Sequence, residues 1–225
     1  MSLKNKRVLI TAGPTWVPID IVRVISNIAT GETGILLAEK LLKKGAKVTL
    51  LLGPVNTCCI ERRARVINFR FFDELKSCLK KELRARRYDI VVHSAAVSDY
   101  KPVHALRSKI RSSKKSWNIK LVQAPKLIED LKTMQPGLRV AGFKFEPDLT
   151  HNALIKSGEK LLNNAGLDWV VANTNKNQSY CAYIIDNKRA ISGPWRSKND
   201  LADALVGCLC NPCAIARVPA DAGFR

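Results

Sequence analysis

The sequence predicts an α/β fold of three layers, with helices covering both faces of a mostly parallel sheet. Three observations carry that prediction. Short apolar runs that read as strands alternate with longer runs of helical period. The strand runs are apolar throughout instead of alternating, as expected of parallel strands buried on both faces. The 225 residues, 46% hydrophobic and 25% charged, have the composition of an ordinary globular chain.

The elements follow in order. Arg7 to Thr11 is the opening strand and runs into Thr11-Ala12-Gly13-Pro14. Gly31 to Lys44 carries the helical period, and strands follow at Lys47 to Leu52 and near Ala64 to Phe69. A helix from about Asp73 to Arg86 leads to a strand at Asp89 to Val92. Lys101 to Lys115 breaks the alternation: turns containing Pro and His, then Lys, Arg and Ser with no apolar face at either period, predict a flap. Beyond it come a strand near Ile119 to Val122, a helix with Pro125 at its first position, a strand at Arg139 to Phe143 and a helix after Thr150. Asp168 to Ala172 adds a buried strand. Cys181 to Asp186 and Arg189 to Ser192, joined by Asn187 and Lys188, read as a small β-hairpin extension, and Ser197 with Asp200 as a capping box opening a last helix to Cys208. The whole is a Rossmann-like single domain over residues 1–210, with residues 211–225 as a flexible tail.

Lys plus Arg number 38 against 19 Asp plus Glu, a formal charge of +19 that points to an acidic partner. No apolar run approaches the ~20 residues of a membrane span, and the start does not read as a signal peptide. Seven cysteines, an odd number in a chain long enough to build its own core, do not form a disulfide framework and suit a reducing cytoplasm. Cys208, Cys210 and Cys213 cluster, but His93, His104 and His151 lie far off in sequence, so no metal ligands are assigned.

In a doubly wound sheet ligands bind beyond the carboxyl ends of the strands. Three segments belong at that edge. Thr11 to Thr15, continuing through Arg23 to Gly34, offers small residues before a helix, where backbone amides approach an anion; alone it is also an ordinary turn. Ser94 to Tyr100 follows a buried strand, and Asp99 either accepts from a base or sugar or caps a helix. Lys109 to Lys115 is the flap's charge run, equally readable as a solvated face. A dinucleotide enzyme is disfavoured: Gly-x-Gly-x-x-Gly is absent, the second strand ends Leu51-Leu52-Gly53-Pro54 without an acidic residue, and no Tyr has a Lys four positions later. A mononucleotide-type site remains.

Together these segments resemble the phosphopantothenoylcysteine synthetase family over about residues 6 to 208. The most specific part is Thr11-Ala12-Gly13-Pro14-Thr15 with Asp20, Val22-Arg23, Ser26-Asn27, Thr30-Gly31 and Gly34. Ala95 to Tyr100, Lys109, Gly142-Phe143-Lys144 and Asp168 through Asn173 follow in the family's order. The resemblance implies a ligase of coenzyme A biosynthesis. It joins 4'-phosphopantothenate to cysteine through an acyl-nucleotide, with Mg2+ and with CTP, or alternatively ATP, as co-substrate. It implies Lys109, Asn27 and Arg23 as catalytic residues. Nucleotide contacts carry over to Gly13, Ala95, Ala96, Asp99, Pro125, Lys126, Leu127, Ile128, Phe143 and Lys160, and to Asn164 where the family has a lysine. It further implies a homodimer, paired through the hairpin around Tyr183 to Ser192 or through the flap, and a stand-alone form served by a separate decarboxylase.

Other departures from the family are Arg111 and Ser112 in place of lysines, and Trp16-Val17 in place of a charged pair. Two alternatives stand beside the ligase. One is a basic nucleic-acid-binding protein, motivated by Arg62, Arg63, Arg65, Lys80, Lys81, Arg84, Arg86 and Arg87 but lacking an aromatic stripe. The other is an inactive nucleotide-binding relative, motivated by Asn164.

Overall fold

The computed structural model describes residues 2–56, 63–111, 115–176 and 179–211. Twelve strands and five helices are assigned among them. The first half contains β1 (Arg7–Ala12), β2 (Trp16–Pro18), β3 (Val24–Ser26), α1 (Glu32–Lys43), β4 (Lys47–Leu52), β5 (Arg65–Asn68), α2 (Phe72–Ala85) and β6 (Ile90–His93). The second half contains β7 (Tyr100–Pro102), β8 (Leu121–Gln123), α3 (Leu131–Met134), β9 (Arg139–Phe145), α4 (His151–Asn164), β10 (Trp169–Lys176), β11 (Ser179–Asp186), β12 (Ile191–Trp195) and α5 (Lys198–Cys210).

Eight strands form one sheet in the order β12-β11-β10-β9-β6-β1-β4-β5. All neighbours from β10 to β5 are parallel, while β11 and β12 run antiparallel at one edge. The apolar strand runs thus became sheet interior: Val8, Leu9 and Ile10 are all fully buried, Val8 and Ile10 on one face and Leu9 on the other. One face packs Leu37 and Leu41 of α1 and Leu201 and Leu205 of α5. The other packs Leu75 and Leu79 of α2, Leu131 of α3 and Leu154 of α4. This is the expected three-layer Rossmann-like architecture. From β1 the chain first goes outward to β4 and β5, then returns to place β6 on the other side, so strand order reverses between β1 and β6.

Helix ends follow local chemistry. The Ser197 hydroxyl accepts from the Asp200 N–H at 3.0 Å and caps α5. Glu74 reaches back to the N–H groups of Arg70 and Phe71, at 2.7 and 3.1 Å, and closes the start of α2.

Three expectations need correction, and one element was not expected: β3 pairs antiparallel with β2 in a hairpin. The strand near Ile119 to Val122 lies at Leu121–Gln123 and pairs with β7 in a separate two-stranded ribbon at the base of the flap. No helix starts at Pro125; Lys126 to Leu131 is a run of turns with N–H groups bonding three residues back, and only Leu131–Met134 is α-helical. Gln135 ends it by leaving the helix to bond both the N–H and the carbonyl of Tyr88. The hairpin at Cys181 to Ser192 is no appendage but the antiparallel margin of the main sheet, with Tyr183, Ile184 and Ile185 in the core. Its turn spans four residues, because Asp186 accepts from the N–H groups of Lys188 and Ala190 at 2.9 and 2.8 Å. The expected tail after Asn211, together with Arg62, Ser112 and Cys213, lies outside the described residues.

Candidate active site

At the switch between β1 and β6 the two strand-ending loops zip together. The Ala96 N–H donates to the Gly13 carbonyl at 2.9 Å, and the Thr15 N–H donates to the Ala96 carbonyl at 3.2 Å. Below them Thr11 Oγ1 accepts from the Ala95 N–H at 3.2 Å and lies 2.9 Å from His93 Nδ1. His93 is buried between the strands, and that desolvation lowers its pKa to about 4, so the ring is neutral. Thr15 Oγ1 likewise accepts from the Ser98 N–H at 3.0 Å. Gly13, at φ 79°, is held where a side chain would meet Gly53 Cα at 3.2 Å, so the turn accepts only glycine.

Asn27 sits exposed on the rim, immediately after β3. Its Nδ2 donates to the carbonyls of Ala96 and Val97 at 3.2 and 3.3 Å, so both amide protons are engaged by the loop. Arg23 and Asn27 flank β3 and are separated by a strand's length, about 13 Å. Arg23 instead secures the flap: it donates to the Ile110 carbonyl at 3.0 Å, faces Asp20 at 3.5 Å, and lies over the Trp117 ring at 5.2 Å. Asp20 is buried beneath it. Burial pushes that carboxyl up, but N–H bonds from Val22, Arg23 and Ile110 and the Arg23 charge outweigh it and hold the pKa below the ordinary value. Lys109, next to the anchored Ile110, is exposed and makes no ion pair or hydrogen bond among the described residues.

The nucleotide set divides. Asp99 and Lys126 form a direct ion pair, and the Asp99 carbonyl receives the Ala124 N–H at 2.8 Å. No helix follows Asp99, which removes its capping alternative. Leu127 and Ile128 are buried in the core, so only their backbone is available, and Pro125 is exposed beside them. Phe143 is half-buried near the end of β9. Just beyond, Glu146 takes Lys144 Nζ at 2.8 Å and the Ser157 hydroxyl of α4 at 3.1 Å. The Lys144 bond lowers its pKa most, burial opposes, and the charge of Asp99 also opposes, which puts Asp99 within electrostatic reach. Lys160 is three residues past Ser157, one turn along the same helix side. Asn164 is a further turn away, and no contact joins it to the cluster. Glu146, Ser157 and His93 escaped the sequence reading, because nothing in their spacing marks them. No group of three His, Cys, Asp or Glu is arranged to hold a metal among the described residues.

Residues 3–211 match the family described as the DNA/pantothenate metabolism flavoprotein C-terminal domain. The chain belongs to that family. It is 35% identical over 208 residues to the coenzyme A biosynthesis bifunctional protein CoaBC of Thermococcus kodakarensis, which covers 91% of this chain and 51% of that protein. The chain thus spans about half the length of the curated relatives it matches. Among solved structures, the DNA/pantothenate metabolism flavoprotein from Streptococcus pneumoniae aligns with a TM-score of 0.80 at 23% identity, covering 91% of this chain and 98% of that one. A Cab2 variant in complex with phosphopantothenate-cysteine aligns with a TM-score of 0.73 at 18% identity, covering 91% and 86%. These neighbours share the fold of this chain.

Proposed function

We propose that the chain is a ligase of coenzyme A biosynthesis that joins 4'-phosphopantothenate to L-cysteine. The observation that carries the reading is the family match over residues 3–211, which spans every segment assigned to the site. In the first half-reaction a carboxylate oxygen of phosphopantothenate attacks the α-phosphorus of the triphosphate. The α–β bridging bond breaks, pyrophosphate leaves and an acyl-nucleotide forms. In the second the cysteine amine attacks the acyl carbon, the carbon–oxygen bond to phosphate breaks, and the nucleoside monophosphate leaves as the amine gives up a proton.

The first step brings two anions together, so cations must offset their repulsion. Lys109 has that role, an unpaired ammonium next to a fixed flap residue. Arg23 keeps the flap root in place and so sets where Lys109 can reach. In the second step charge develops on the acyl oxygen, and Asn27 stabilises it once an amide proton is freed from the loop. Asp99 and Lys126 bind the nucleotide with the backbone of Gly13, Ala95, Ala96 and Pro125 to Ile128; Phe143 lines the base or sugar, and Lys160 faces the phosphates. At Asn164 the contact that a lysine makes in the family is lost. The co-substrate is CTP, with ATP as the alternative. Mg2+ fits only as an ion carried mainly on phosphate oxygens and water, since the described residues offer no acidic cage. It supplies charge neutralisation at the phosphates.

Four described cysteines are free, which supports a reducing compartment, the cytoplasm. A homodimer is supported by exposed apolar side chains on the β2–β3 hairpin and the flap ribbon, among them Ile21, Val22, Ile28, Tyr100 and Leu121. The two elements are joined by the Leu106 N–H donating to the Ile19 carbonyl at 2.9 Å. That favours the flap side of the expected interface over Tyr183 to Ser192, whose apolar residues are mostly spent in the core. A monomer mass in sedimentation equilibrium would overturn the dimer. The decarboxylation that follows is assigned to a separate active site.

The test mixes protein, Mg2+ and phosphopantothenate with CTP or ATP, and measures pyrophosphate without and with cysteine. Release without cysteine, in an amount near the enzyme concentration, and turnover with it are expected. No release with either triphosphate sinks the ligase reading; saturable CTP binding without release identifies an inactive relative instead.

A further inference from the structure

Most of the positive charge lies away from the candidate active site, and part of it converges on one place. A concavity of about 370 Å3 opens at the amino edge of the sheet, where β1, β4 and β5 begin. Arg7, Lys47, Arg63, Arg65 and Arg86 line it, and among the described residues no carboxylate does. The arrangement follows from strand register: Arg7 stands beside Lys47 on adjacent parallel strands, and Arg65 stands beside Thr49 on the next. Like charges on neighbouring strands repel, so such a cluster costs stability unless something anionic meets it.

One carboxylate meets part of it from below. Glu82 of α2, 3% exposed, accepts from Arg65 at 2.5 Å and from the Tyr88 hydroxyl at 2.7 Å, and lies 3.7 Å from Arg86 Nε. It steers two guanidinium groups into fixed positions at the wall but is a single negative charge beside Arg7, Lys47, Arg65 and Arg86. The side chains of Arg7 and Lys47 have no acidic partner among the described residues; the nearby Asp89 is taken by Lys6 Nζ and the Arg7 backbone N–H, both at 2.8 Å. The volume lies within the range of small-molecule sites. A groove for single-stranded nucleic acid would instead present an aromatic stacking platform, and Tyr88, the one ring here, is only 3% exposed.

We propose that this concavity is a second anion site, separate from the candidate active site, that takes a small molecule carrying two or more adjacent phosphate groups. Arg65 and Arg86, held in advance by Glu82, present planar forks to phosphate oxygens, and Arg7 and Lys47 close on the remaining charge. The site stands at the opposite end of the strands from Lys109 and does not depend on the ligase reading.

The test titrates the full chain with tripolyphosphate at physiological salt by calorimetry, in the parent, in Lys109→Gln and in Arg7→Gln/Lys47→Gln. Expected is a saturable site that Lys109→Gln retains and the double variant weakens by about tenfold or more, as befits two lost charge-assisted bonds. Both replaced side chains are exposed and their removal relieves repulsion, so the double variant should unfold at or above the parent's temperature; if it unfolds lower, Lys47→Gln alone is read for a smaller loss in the same direction. Equal affinity in all variants, or a loss only in Lys109→Gln, overturns the proposal. So does a single-stranded oligonucleotide that binds the same surface and is not displaced by tripolyphosphate.

Discussion

At the carboxyl edge of the sheet the Asn27 side-chain amide donates to the Ala96 carbonyl and the Thr11 hydroxyl accepts from the Ala95 N–H, all neutral groups, and the buried ring of His93 is held without charge. At the amino edge Arg65 and Arg86 converge on Glu82, which burial pushes toward neutrality but which Arg65 and Tyr88 keep charged, its pKa below the ordinary value. The difference teaches where a strongly basic chain keeps its charge. A loop edge built from Gly, Ala, Ser and Thr leaves room for a ligand and brings fixed dipoles to it, with exposed cations such as Lys109 on the flap beside it. An edge built from paired arginines is a permanent charge, independent of any reaction.

The largest effect should come from removing the exposed flap cation. Lys109→Gln is expected to lower the rate of pyrophosphate release by roughly 10²–10³-fold, the scale of losing one transition-state charge contact, without changing the melting temperature, since Lys109 holds nothing in place. A single-turnover assay with labelled triphosphate reads it; a rate within a few-fold of the parent would show that the flap cation plays no part in the first half-reaction.

Asn27→Asp separates the two steps. The carboxylate offers no proton for the acyl oxygen, so the variant is expected to accumulate acyl-nucleotide and convert it slowly on adding cysteine, by about 10²-fold. Because Asn27 also ties down the Ala96 and Val97 carbonyls, which a carboxylate repels, Asn27→Ala is the companion variant. If both variants lose both half-reactions equally, Asn27 acts by holding the loop and not as a donor to the acyl oxygen.

Much of this contrast was legible in the sequence, and the exceptions share a cause. Lys47 to Leu52 was bounded correctly because a parallel strand buried on both faces reads as a near-continuous apolar run, here Val48 to Leu52 broken only by Thr49. The glycines and threonine after β1 marked the turn, since close loop packing admits little else. The β2–β3 hairpin was not legible: strands of three residues, one of them ending in Pro18, are too short to show alternation and exist only because Trp16 and Ser26 pair. Pro125 resembled a helix start, but Leu127 and Ile128 both turn into the core and tighten the chain, and Gln135 is drawn off by Tyr88. The joining of Glu146 to Ser157, and of Glu82 to Arg65, is long-range and leaves no local pattern.

His93 tests the neutral edge through pH. Its folded pKa of about 4 lies below the unfolded 6.5, so between those values the unfolded chain binds more protons than the folded one. Stability from keeping the ring neutral is therefore fully present above pH 6.5 and is lost as pH falls toward 4, by at most about 3 kcal/mol. Glu82 adds a loss only lower, as pH falls below its ordinary value of 4.5 and toward its depressed folded pKa. Denaturant unfolding at pH 7 and pH 5 should show this drop in the parent and little of it in His93→Gln. An equal drop in both would mean that His93 is not the group responsible.

The smallest expected effect is a control at the same edge. Lys198, beside the cap of α5, pairs with Glu32 in the first turn of α1, so this cap borders the strand-loop region without joining it. Ser197→Ala removes the acceptor for the Asp200 N–H and should cost about 1 kcal/mol, seen as a lower denaturant midpoint at unchanged slope. Both half-reactions should keep parental rates at temperatures where the variant is folded. A fall in either would mean that the α5 end supports the loop edge mechanically, and the carboxyl edge would then owe its geometry to more than the backbone bonds between the β1 and β6 loops.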